Sequence, residues 1–175
     1  MRLAQQLYEG VDVKGSGTIG IITYLRTDST RISEEADSAA RSYIASEFGE
    51  EYLATVEKKD DSKKKIQDAH EAIRPTDISR TPLSLKDSLS RDQYRLYQLI
   101  WKRFAASRMQ QAKYETISVK IQGGEYYFTV SASKLKFDGF MAVYTQEDDT
   151  KSENQFLIKS LDENTKLEFN SFKEQ

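Results

Sequence analysis

Cysteine is absent from the 175 residues, which rules out disulfides and thiolate-held zinc and favours a reducing compartment. Histidine occurs once, at His70, so no two-histidine metal motif can form. No apolar run approaches the roughly 20 residues that a membrane span needs, and no basic n-region followed by an apolar h-region opens the chain. An excess of basic charge is missing too. The 26 Lys and Arg against 28 Asp and Glu leave a net charge of −2, which excludes a globally basic nucleic-acid binder. A local cationic site stays open, because phosphate contacts depend on where charge lies rather than on its sum. What is present is a globular composition with a polar lean, 38% hydrophobic and 31% charged, long enough for one cored domain or two small ones.

Periodicity divides the chain. Leu3, Ala4, Leu7 and Tyr8 follow helical spacing up to Gly10, and a helix opening without cap or tail reads as one lying inside a longer protein. "VDVKGSGTIG" reads as a glycine-rich loop. Its Gly15, Gly17 and Gly20 match G-x-G-x-x-G, but the pattern follows a helix and opens a strand, the reverse of a dinucleotide site. The strand is expected over 19–25. Ser33 caps a second helix, whose stripe is Ala36, Ala39, Ala40, Tyr43, Ile44 and Phe48, with Gly49 as terminator. "EKKDDSKKK" (57–65) reads as a solvated loop. Ser90 and Gln93 form a capping box before a third helix bearing Tyr97, Ile100, Trp101, Phe104 and Ala105, expected to run to about Gln111. The period then changes to alternation. "TISVKIQ" and "YYFTVSA" around Gly123 and Gly124 predict a hairpin, and "KLKFDGFMAVYT", "NQFLIKSL" and "KLEFNSF" predict further short strands. The expected fold is α+β: a mainly helical domain over 1–112, then a partial antiparallel β domain over 113–175.

Two constellations carry chemistry. In "GTIGIITYLRTDSTR" (17–31), a strand would put Tyr24, Arg26 and Asp28 on one face and Thr23, Leu25 and Thr27 on the other. Phenols ionise near pH 10, so an unassisted tyrosine is a poor nucleophile at neutral pH. A guanidinium on the same face helps, because it can grip a phosphate with two hydrogen bonds while charge builds on the transferring group. The set suits the making of a phosphotyrosyl ester. Tyrosine is also common in strands, so a half-buried sheet residue is the alternative. In "AHEAIRPTD" (69–77), helical spacing would place His70 and Arg74 one turn apart before Pro75 ends the helix, as a compact anion site or simply a capped helix end. H-E-x-x-x lacks the second histidine of a zinc motif, so metal is rejected.

"GIITYLRTDSTRIS", "AHEAIRPTDI" and "LYQLIWKRFAASRM" together resemble the type IA DNA topoisomerases, the bacterial enzymes in particular. The resemblance extends over nearly the whole chain, with those three stretches the most specific. It implies that Tyr24, in the I-T-Y-x-R-T-D-S segment, is the nucleophile, that Arg26 positions the scissile phosphate, and that His70, in H-E-A-I-R-P, helps bind DNA near the active site. Arg74 is added as a phosphate contact on its chemistry alone. Leu25 stands where the family often has methionine, a volume-conserving departure. The implied reaction is cleavage of one DNA strand through a 5′-phosphotyrosine intermediate and its religation without ATP, relaxing negative supercoils. The implied partners are single-stranded DNA and the remaining domains of the parent chain, with no membrane, in the cytoplasm at the nucleoid. The 113–175 part resembles a portion of the arch that hinges the gate. The family's Mg2+ site is an acidic D-x-D cluster in a separate domain. No such pattern occurs here, and Asp60–Asp61 and Asp148–Asp149 lie in predicted loops, so no bound metal and no relaxation by this segment alone are expected. A non-catalytic single-strand-binding module is the rival reading, with Arg26, Arg74 and the 57–65 lysines as contacts. A protein-interaction domain with Tyr24 in its core is a third.

Overall fold

The computed structural model describes residues 1–55 and 70–144, together with Lys166 and Glu168, and these form an α+β chain. The expected strands "NQFLIKSL" and "KLEFNSF", the 57–65 loop and both Asp pairs lie outside the described residues or largely so. The chain divides into two units. Met1–Ala112 and the residues following from Asp138 form the first, and the hairpin Lys113–Phe137 belongs to the second.

In the first unit, helix α1 (Arg2–Glu9) buries Leu7 completely and ends at Gly10, whose φ of 143° few other residues adopt. Strands β1 (Val11–Val13) and β2 (Gly17–Ile19) follow. The expected glycine loop is thus a small antiparallel hairpin, pairing Val11 with Ile19 and Val13 with Gly17. Its turn needs Gly15 at φ 84°. β1 alternates buried Val11, exposed Asp12 and buried Val13, as a half-buried strand should.

Helix α2 (Glu34–Glu47) begins where the Ser33 hydroxyl accepts from the Ala36 N–H at 3.3 Å, and Glu34, Glu35 and Asp37 complement its dipole. Ala40 and Ile44 are buried and Ala36, Tyr43 and Phe48 pack partly against the core, whereas Ala39 is exposed, at the margin of the expected stripe. Helix α3 (Arg91–Ser107) carries both hydrogen bonds of the Ser90–Gln93 capping box. Its face of Tyr97, Trp101, Phe104 and Ala105 is the centre of the core, with Ile100 beside it. The helix stops four residues short of the expected end. Gln110 N–H instead donates to the Tyr52 carbonyl at 2.7 Å and Ala54 N–H to the Arg108 carbonyl at 3.0 Å, so the chain is pulled out of the helix into a bridge between Leu53 and Met109.

Among the described residues, the second unit holds one long hairpin, β3 (Lys113–Gly123) with β4 (Tyr126–Phe137), turning through Gly124 at φ 64°. The register puts Ile117, Val119, Ile121, Phe128, Val130 and Ala132 on one face. The other carries Thr116, Ser118, Ser131 and Ser133, joined by hydroxyl–hydroxyl bonds of 2.8 and 3.2 Å. The predicted strand "KLKFDGFMAVYT" ends at Phe137. Gly139–Ala142 is a 3-10 turn, because Gly139 takes φ 51° and lies so close to the Gln110 carbonyl that a side chain would collide with it.

Candidate active site

Tyr24 does not sit on a regular strand. β2 ends at Ile19, and the chain from Gly20 onward is held by pairing with a distant segment, 72–76. The Ile21 N–H donates back to Leu7 of α1 at 2.8 Å. Thr76 N–H donates to the Ile21 carbonyl at 3.0 Å and Thr23 N–H to the Arg74 carbonyl at 2.9 Å, giving an antiparallel bridge of Ile22 with Pro75. Both hydrogen bonds flank the Ile22–Pro75 pair, so the missing N–H of proline costs nothing there. Ile21, Ile22 and Pro75 are fully buried, which anchors the junction.

The Thr23 side chain completes it. Its hydroxyl donates to the Ala72 carbonyl at 2.8 Å and accepts from the Arg74 N–H at 2.9 Å. Farther along, the Ala72 N–H donates to the Arg31 carbonyl at 2.8 Å. The expected helix through His70 and Arg74 is therefore absent, and 70–75 is irregular, with a bend at Ile73 before the bridge at Pro75. A residue before proline is disfavoured in the α region, and both flanks of this segment are occupied by the Tyr24 chain. α3 fixes the far side. The Trp101 indole N–H donates to the Ile78 carbonyl at 2.9 Å and the Tyr97 hydroxyl to the Arg80 carbonyl at 2.7 Å. Burial pushes the Tyr97 phenol up, so it stays a neutral donor.

From this junction the chain emerges with alternating exposure: Tyr24, Arg26 and Asp28 open to solvent, and Thr23, Leu25 and Thr27 half-buried. The alternation of exposure expected of a strand is present, although the chain bends at Leu25 and Arg26. Tyr24 is 37% exposed. Its ring stacks on His70, with centroids 5.2 Å apart at 29°, and meets Tyr8 edge-on at 5.5 Å and 70°. The two sequence motifs are thus brought together at the nucleophile candidate, with an aromatic side chain from each.

Arg74 is placed differently. Its Nε and Nη2 donate to Glu71 Oε2 at 2.9 and 2.6 Å and its Nη1 to the Pro75 carbonyl at 3.0 Å, with the side chain 13% exposed. Burial pushes the Glu71 carboxyl up, but the bonds from Arg74, its charge, the Ser33 side chain and the Arg31 charge together outweigh that and leave it below its ordinary value. Glu71, Thr23 and Tyr8 were not expected as site residues. The i, i+3 spacing of Glu71 and Arg74 was a local signal for one of them, whereas Thr23 and Tyr8 matter only through contacts distant in sequence.

Among the described residues, no group of three or more His, Asp or Glu is placed to hold a metal ion. What the side chains around Tyr24 offer is an exposed phenol, an exposed guanidinium two residues on, and an imidazole stacked on the phenol.

The whole chain, residues 1–175, matches the sequence profile of the DNA topoisomerase family. Among solved structures it is similar to full-length topoisomerase I from Thermotoga maritima, with a TM-score of 0.71 and 43% sequence identity over 86% of this chain. That stretch is 24% of the Thermotoga protein, so the chain spans about a quarter of the length of this relative.

Proposed function

Since this chain belongs to the DNA topoisomerase family, as a segment of a bacterial type IA enzyme, we propose that Tyr24 is the nucleophile of single-strand DNA cleavage. The observation that carries the proposal is the exposed Tyr24 ring stacked on His70, at the place where two separate motifs are tied by backbone hydrogen bonds. The Tyr24 oxygen attacks a backbone phosphorus, the bond to the 3′ oxygen breaks, and a 5′-phosphotyrosyl ester forms while the 3′-hydroxyl leaves with the proton. One phosphoester replaces another, so the 3′-hydroxyl can reverse the step without ATP. Strand passage between the two steps relaxes negative supercoils.

Arg26, exposed two residues after Tyr24, holds the scissile phosphate, and its two-pronged donor geometry stabilises the charge that builds on the phosphoryl oxygens. His70 holds the DNA strand against the Tyr24 ring. Arg74 contributes as a brace: paired with Glu71, it fixes the 70–75 segment, and it reaches a phosphate only by leaving that carboxylate. The segment 1–112, together with the residues from Asp138 that belong to the same unit, serves as the tyrosine-bearing domain, and the hairpin Lys113–Phe137 as part of the arch. The substrate is single-stranded DNA, and the other domains of a complete enzyme close the gate. Magnesium, when bound in such an enzyme, supplies positive charge from residues other than these.

The test is Tyr24→Phe in a complete enzyme carrying this segment. The covalent protein–DNA adduct should vanish while single-strand affinity stays within about twofold, since only the hydroxyl enters the bond-making step. Persistence of the adduct in this variant would remove Tyr24 from the role.

A further inference from the structure

We propose that Tyr8, at the end of α1, is a positioning residue that sets the direction of the Tyr24 phenol; the inference rests on Tyr24 being the nucleophile. An attacking oxygen must lie in line with the bond that breaks, and small errors of placement cost large factors in rate. Yet no hydrogen bond holds the Tyr24 hydroxyl among the described residues, and the chain at 25–26 is a bend. The ring is held instead from two sides. His70 stacks on it at 5.2 Å, and the Tyr8 ring abuts it nearly at right angles at 5.5 Å. An edge-to-face contact is directional, so it limits ring rotation as well as translation.

Tyr8 is itself immobilised by backbone. Its carbonyl oxygen lies against Gly20, so close that a Cβ at that position would collide with it. The neighbouring Leu7 is fully buried and accepts from the Ile21 N–H at 2.8 Å. Residues 7–8 and 20–21 therefore form one rigid joint, three residues before the nucleophile. Tyr8 is 39% exposed, so it is not a core residue. His70 and Tyr8 divide the work: one faces the strand to be cut, the other holds the phenol from the protein side.

The experiment uses a complete enzyme carrying this segment, with single-turnover adduct formation on a single-stranded oligonucleotide at saturating enzyme. Tyr8→Ala should cleave about tenfold more slowly, the equivalent of about 1.4 kcal/mol, with oligonucleotide affinity unchanged. Tyr8→Phe, which keeps the ring, should restore the rate, and Tyr8→Leu, which keeps bulk without a ring, should not. Restoration by leucine as complete as by phenylalanine, or a wild-type rate in the alanine variant, overturns the proposal. A second readout is independent of catalysis. With 3-fluorotyrosine incorporated, the Tyr24 fluorine resonance, assigned by its loss in Tyr24→Phe, should move in Tyr8→Leu and not in Tyr8→Phe. An unmoved resonance in Tyr8→Leu overturns the proposal even if the alanine variant fails to fold. Should Tyr24→Phe still form adduct, the nucleophile assignment falls and this resonance alone decides whether Tyr8 orients the ring.

Discussion

Arg26 and Glu71, charged side chains from the two different motifs, do opposite work. Arg26 is exposed and has no ion-pair partner among the described residues, whereas Glu71 is committed to Arg74. Changing Arg26 to lysine should therefore slow cleavage more than it weakens DNA binding. The charge remains but the two-pronged phosphate grip is lost, and each 1.4 kcal/mol of transition-state stabilisation removed is about a tenfold rate loss. Equal single-turnover rates for the arginine and lysine enzymes would reduce Arg26 to a general electrostatic contact. Glu71 carries a stability prediction with a definite sign. Its carboxyl binds its proton less readily in the folded state than its ordinary value of 4.5 implies. Its contribution is complete above that value and is lost as pH falls below it through the lowered folded value. Glu71→Gln should cost about 1–3 kcal/mol at neutral pH, by leaving a mostly buried guanidinium without its carboxylate. The gap in urea midpoint between wild type and variant should close as pH drops below the ordinary carboxyl value of 4.5 and through the lowered folded one. A gap that stays constant with acid would show that the Glu71–Arg74 pair contributes nothing through its charge.

At the level of elements, the weight falls on how α1 meets the chain that leads to Tyr24. Gly20→Ala should destabilise the first unit by about 1–3 kcal/mol, because its Cβ has nowhere to go but into the Tyr8 carbonyl. Gly15→Ala meets no neighbour and costs only the strain of a left-handed φ, about 1–2 kcal/mol. The two should separate in function: Gly20→Ala also slows cleavage by pushing α1 away, while Gly15→Ala does not. Similar cleavage rates for the two variants, measured below their melting temperatures, would contradict the joint. The same elements show what a sequence reveals. Helices α2 and α3 were readable because their signals are local: a serine hydroxyl reaching its own first turn, and an apolar face repeating every three or four residues. The hairpin β3–β4 was readable from alternation around two glycines. The strand expected through Tyr24 and the helix expected through His70 were not formed, because each segment takes its hydrogen bonds from the other across about 50 residues. Local periodicity carries no record of such a partner. The exposure of Tyr24, Arg26 and Asp28 was anticipated from their alternation with Thr23, Leu25 and Thr27, although the chain bends at 25–26 instead of running on as a strand.

For the molecule as a whole, the balance of charge and the share of the enzyme that this chain represents set the last expectation. The purified 175-residue chain should fold, bind single-stranded DNA weakly, and fail to relax supercoiled DNA with or without magnesium. Folding follows from the continuous core of Leu7, Ile21, Ile22, Ile44, Tyr97 and Trp101, which draws on all three helices and the Tyr24 junction. Weak binding follows from a net charge of −2, with Arg26 and Arg31 as the exposed cations on the chain that follows Tyr24. With only about two or three phosphates contacted, affinity starts low and falls further with added salt, and the slope of log affinity against log salt counts those contacts. Relaxation asks for more than a nucleophile. The cut ends must be held apart while a second strand passes, and this chain corresponds to 24% of the length of the Thermotoga enzyme it resembles. The second unit adds a liability of its own. Its hairpin leaves Tyr126, Tyr127 and Phe128 largely exposed, so it should be the part most prone to self-association at high concentration. Gel assays of supercoiled plasmid, run beside a salt titration of oligonucleotide binding, separate these claims. Binding without relaxation is the expected pair, and relaxation by the isolated chain would mean that its own residues complete an active site beyond Tyr24, Arg26 and His70.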